Sequence, residues 1–139
     1  MLSLNDLKRQ KQNLITEINR IKTKNNAIQK DVDRLKTAYD KLKKLKDNDA
    51  NALKKDLKRS VCIGELQWKS NVCNEFNRWM DENIKRNAND FYDSIDDMLD
   101  QLNKAISKKK SQKTTGLKSI DRLNKSYNDV CTAISNFFN

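Results

Sequence analysis

The 139-residue chain has no proline, no histidine and only two glycines, Gly64 and Gly116. Without proline, nothing breaks a helix by steric force, and the two glycines are where an interruption costs least. Without histidine, a His-ligated metal and a His-based catalytic dyad are both excluded. The three cysteines, Cys62, Cys73 and Cys131, show no CxxC spacing and read as free or buried thiols of a protein made in the cytoplasm. No run of about 18 apolar residues occurs, so no membrane insertion is expected. The start of the chain, Met1 to Asp6, lacks the basic region and apolar block of a cleaved secretory signal. The expected location is therefore cytoplasmic.

Only 36% of the residues are hydrophobic, against 35% charged. That is little for a rounded core but enough for one apolar stripe per helix. The net charge of +10 is unevenly spread. Residues 1–60 carry 17 basic and 8 acidic groups, 61–100 carry 4 and 9, and 101–139 carry 8 and 2. A basic–acidic–basic order suits a chain that folds back on itself.

Alternate steps of three and four from Leu4 meet Leu7, Lys11, Leu14, Ile18, Ile21, Asn25, Ile28, Val32, Leu35, Tyr39 and Leu42. This is a heptad seam, and its period calls for a left-handed supercoil against a partner helix in the same chain or another. The packing residues it singles out are Leu14, Ile18, Ile21, Asn25, Ile28 and Leu35. Asn25 and Lys11 interrupt the apolar series; a seam Asn commonly sets register. The Ser3–Asp6 spacing resembles a capping box. A helix over about 3–46 would be roughly 60 Å long at about 1.5 Å per residue.

Asp47-Asn48-Asp49-Ala50-Asn51 reads as an interruption, because Asp and Asn compete for backbone hydrogen bonds. A short helix over about 52–62 follows, then a Trp-containing turn over about 63–70 with Gly64 in it. A second amphipathic helix over about 71–108 carries Val72, Phe76, Ile84, Phe91, Ile95, Leu102 and Ile106 at helical spacing. The stretch 109–116 holds no apolar side chain and reads as a linker before a third helix over about 117–137. The expected fold is all-α: a single domain over 1–139, an elongated antiparallel helical hairpin with an additional C-terminal helix.

A Trp at a corner between helices, followed by a small residue, fills the wedge while the chain turns. Trp68-Lys69-Ser70, with Phe76 opening the next helix, resembles the WXG-type hairpins of Gram-positive type VII secretion. It is more closely similar to the small α-helical proteins encoded beside LXG toxins. Ser70 stands where the motif has glycine, and the third helix lies beyond the short hairpin. Relatives in such systems carry a Tyr-x-x-x-Asp/Glu secretion element, and Tyr92 and Asp96 match its letters on one helix face. The resemblance implies a non-enzymatic targeting partner or chaperone that binds the helical N-terminal domain of an LXG toxin, with a second small helical protein as a further partner. The alternative is a basic coiled-coil protein that binds nucleic acid or scaffolds a homo-oligomer.

Other charged features read as solvated helix faces. Asp90, Asp93, Asp96, Asp97 and Asp100 lack the glycine and loop of a calcium site. The lysine runs around Lys41–Lys46 and Lys108–Lys110 come with no DNA-reading signature. No nucleophile–base pair appears, so no enzymatic activity, cofactor, metal or small-molecule substrate is expected.

Overall fold

The structure, a computed structural model, describes residues 2–56 and 71–139, the side chains of 71–73 excepted. The described backbone is helical throughout 4–56 and 71–136 and contains no strand, so the fold is all-α. Helix α1 is Leu4–Lys44, followed by a π-helical turn at Leu45–Ala50 and α-helical backbone over 51–56. Helix α2 is Asn71–Trp79, a second π-helical stretch covers Met80–Lys85, and helix α3 is Arg86–Asn136. Contacts divide the chain into two compact units, Met1–Arg34 with Ile106–Asn139 and Leu35–Ala105.

In the first unit the capping box forms. The Asp6 amide donates to Ser3 Oγ at 3.1 Å, and the Ser3 amide and hydroxyl donate to Asp6 Oδ2 at 3.2 and 2.6 Å. These bonds hold the Asp6 carboxyl below its ordinary pKa. The α1 seam packs antiparallel on α3: the Lys11 ammonium lies 5.6 Å from the Tyr127 ring centre, and Lys109 Nζ lies 3.0 Å from Asp31 Oδ2. Leu7, Ile18, Ile28 and Val32 are buried with Ile106 and Ile120.

The expected linker is part of the seam. Ile106, Lys109, Lys113, Gly116, Ile120, Leu123, Tyr127, Val130 and Ile134 follow steps of three and four, and each is buried or half-buried. Residues 109–116 therefore continue α3, and the expected second and third helices are one. The absence of apolar side chains there does not stop the helix because α1 is polar at the same level. Buried Asn25 donates Nδ2–H to the Lys113 carbonyl at 3.2 Å, and Lys113 Nζ donates to Gln29 Oε1 at 2.7 Å. A Cβ on Gly116 would come within 2.8 Å of Asn25 Nδ2 and 2.9 Å of its Cγ, so the amide occupies the space the glycine leaves empty.

The second unit corrects the expected break at 47–51. The Asn51 amide donates to the Lys46 carbonyl five residues back, which adds one residue to the turn. Strict heptad stepping past Leu42 would bury Asp49. The extra residue instead places Ala50 in a cluster with Ile95 and Leu99, against which Tyr39, Leu42 and Tyr92 pack. The helix survives its Asp/Asn run because the π turn keeps those side chains outside the seam. The remainder of the expected 52–62 helix and the turn over 63–70 lie outside the described residues.

Gly116→Ala isolates the polar lock. In an unhindered helix interior this change stabilises by about 1 kcal/mol. Here it should destabilise by about 1–2 kcal/mol, since Asn25 must leave its hydrogen bond. In an Asn25→Ala background it should become stabilising. Urea unfolding of the four chains checks the sign reversal.

Candidate functional site

The sequence-derived packing residues are used within the chain. Ile18, Asn25 and Ile28 are buried, and Leu14, Ile21 and Leu35 are half-buried along the seam. Their seam faces pack within the chain, and Ile21, Asn25 and Ile28 also line a groove beside the seam. Trp68, Lys69 and Ser70 lie outside the described residues. Phe76 is on α2, 40% exposed, with its ring stacked on Trp79 at 6.4 Å between centroids and 30° between planes.

Tyr92 and Asp96 stand side by side on α3, as their spacing requires, and both meet lysines of the same unit. Asp96 forms an ion pair with Lys46. The Lys46 and Lys54 ammoniums lie 5.0 and 4.7 Å from the Tyr92 ring centre, within cation–π range. The Asp96 carboxylate, and to a smaller extent Tyr92, hold the Lys46 ammonium above its ordinary pKa. A groove of about 400 Å³ on this edge is lined by Lys43, Lys46, Asp47, Asp96 and Asp100, with Tyr39 and Leu99 at the seam. It is a charged edge in which Lys46 is paired with Asp96.

A second groove of the unit has the opposite character. Leu53, Ile84, Ala88 and Phe91, with Asn87, line about 280 Å³ that, among the described residues, no charged side chain borders. Phe91 and Leu53 are 50% and 47% exposed, and Met98, seven residues after Phe91 on the same helix face, is 53% exposed. In a two-helix pair the positions flanking the seam normally hold charges that solvate it. Here Leu53, Phe91 and Met98 hold such positions, and the residues beside the Phe91–Met98 stripe are the uncharged Asn87, Ser94 and Gln101. Leu53 reaches this edge through the π turn: the added residue moves it out of the seam and moves Lys54 toward Tyr92. Periodicity alone missed the edge, because Phe91, Ile95 and Met98 merge into one apolar stripe when the partner helix is not known.

Among the described residues there is no cluster of three metal-ligating side chains, and no helix is long and apolar enough to cross a membrane. No family model matches the chain, and no curated protein or solved structure matches it either.

The boundary between core and edge is testable at adjacent positions. Leu99→Ala should cost about 2–4 kcal/mol, since Leu99 is 7% exposed. Met98→Ala should stay within about 0.5 kcal/mol. Denaturant unfolding checks both, and equal losses would place Met98 in the core.

Proposed function

We propose that the protein is a non-enzymatic interaction protein, a targeting partner or chaperone that binds the helical N-terminal domain of an LXG toxin for type VII secretion. The observation that carries this reading is the uncharged edge at Leu53, Ile84, Phe91 and Met98. An apolar strip flanking a filled seam is what a third helix needs to turn a helix pair into a three-helix contact. The heptad packing within each unit supports it too, since the paired helices offer a surface on which a further helix can lie. The similarity of Trp68-Lys69-Ser70 and Phe76 to the small proteins encoded beside such toxins supplies the identity of the partner.

In this reading the complex assembles in the cytoplasm before export, and a second small helical protein joins it. The Lys46 contacts of Tyr92 and Asp96 would then have to open before a receptor read those two side chains as a secretion element.

The proposal requires an LXG toxin gene beside that of this chain, and co-expression with that toxin tests it. The toxin's N-terminal helical domain should co-purify with the full chain, and Phe91→Glu should abolish capture while leaving the helical circular dichroism intact. A chain that elutes alone in the presence of that domain, or capture indifferent to Phe91→Glu, would contradict it.

A further inference from the structure

The two units differ in charge as well as in their edges. Residues 35–105 hold 14 basic and 13 acidic side chains, whereas residues 1–34 and 106–139 hold 15 and 6. Of those six acids, Asp6, Glu17 and Asp31 are already engaged by Arg9, Arg20 and Lys109, and Asp33 accepts the Gln29 amide at 2.9 Å. The first unit therefore carries a positive excess that it does not neutralise itself.

A groove of about 420 Å³ lies on this unit. Ile21 and Ile28, half-buried and buried, give it an apolar floor. Its α1 wall holds two cations one helical turn apart, Lys24 and Arg20, the second already paired with Glu17. Its α3 wall is short and uncharged, since Thr115 and Ser119 turn their hydroxyls back onto the Ser111 and Thr115 carbonyls at 3.1 Å. Both ends of the Glu17 carboxylate engage Arg20, at 2.9 and 2.6 Å, and hold its guanidinium in place although its side chain is 62% exposed. Among the described residues no carboxylate lines the groove.

We infer that this groove docks an acidic amphipathic helix of the partner protein. Apolar side chains seven residues apart on that helix rest on Ile21 and Ile28, and carboxylates one turn apart face Arg20 and Lys24. The inference rests on the reading of the chain as a helix-binding protein and gives its partner a charge. A second copy set first unit to first unit does not fit, because it would place one net-positive unit against another. A polynucleotide offers phosphates to the cations but no apolar ridge to the isoleucines.

The test uses the full chain and a labelled synthetic helix with Leu at the a and d heptad positions and Glu at e and g. Its comparators are a twin peptide with Lys at e and g, and a duplex DNA of similar charge. Arg20→Glu with Lys24→Glu reverses the groove, and Lys30→Glu with Lys125→Glu makes the same net change on exposed positions outside it; circular dichroism confirms that both variants fold. The expected result is micromolar binding of the Glu-flanked helix, weakened about tenfold or more by the groove variant and less than about threefold by the control. The inference is overturned by absence of binding, equal loss in both variants, equal binding of the Lys-flanked twin, or tighter binding of DNA. Because the probe is synthetic, this outcome is independent of whether the toxin domain co-purifies.

Discussion

A polar block inside an otherwise apolar seam sets the alignment of the first unit. Asn25, Gln29 and Asp31 on α1 face Lys109, Lys113 and Gly116 on α3, and each polar group meets its complement. Apolar contacts alone would tolerate slippage, because leucine and isoleucine recur every three or four residues on both helices. A slip of one heptad would set Asn25 against Ile106 or Ile120 and strand its amide, at about 1–3 kcal/mol. It would also drive a side chain into the space that Gly116 leaves for Asn25. The block weakens the seam relative to a fully apolar one and in exchange permits a single pairing.

That fixed pairing gives the surface its meaning. Once the seam is filled from within the chain, what remains for a partner is what flanks it. In the second unit one flank is charged and engaged, with Lys46 between Asp96 and Tyr92, while on the other the α3 side is uncharged and half-exposed at Phe91 and Met98. The π turn at Leu45–Ala50 produces this asymmetry. It keeps Asp49 out of the core, admits Ala50, and moves Leu53 onto the open edge. One inserted residue thus resolves a packing conflict and creates an apolar surface at once.

Much of the fold was legible in the sequence, and what was missed has physical causes. The α1 seam and the Ser3–Asp6 cap could be read because each is local: one helix's periodicity and one turn's hydrogen bonds. The break placed at 47–51 rested on the turn preference of Asp and Asn, which the burial of Ala50 overrides. The linker placed at 109–116 rested on the absence of apolar side chains. The signal against it was phase: steps of three and four from Leu99 pass through Lys109, Lys113 and Gly116 and arrive in register at Ile120, Leu123 and Tyr127. A true linker has no reason to conserve that count. Of the site, Phe76, Tyr92 and Asp96 were named from their letters, but the edge at Leu53, Phe91 and Met98 depends on which helix face α1 covers, and that is a tertiary fact.

The most direct measurement is a nuclear Overhauser contact between the Asn25 side-chain amide and the two α-protons of Gly116, read together with the backbone chemical shifts of residues 109–116. The expected result is a strong contact and helical shifts without a break through Gly116. Coil shifts over 109–116, or an Asn25 amide that instead contacts the side chain of Ile106 or Ile120, would contradict the polar lock and the pairing built on it.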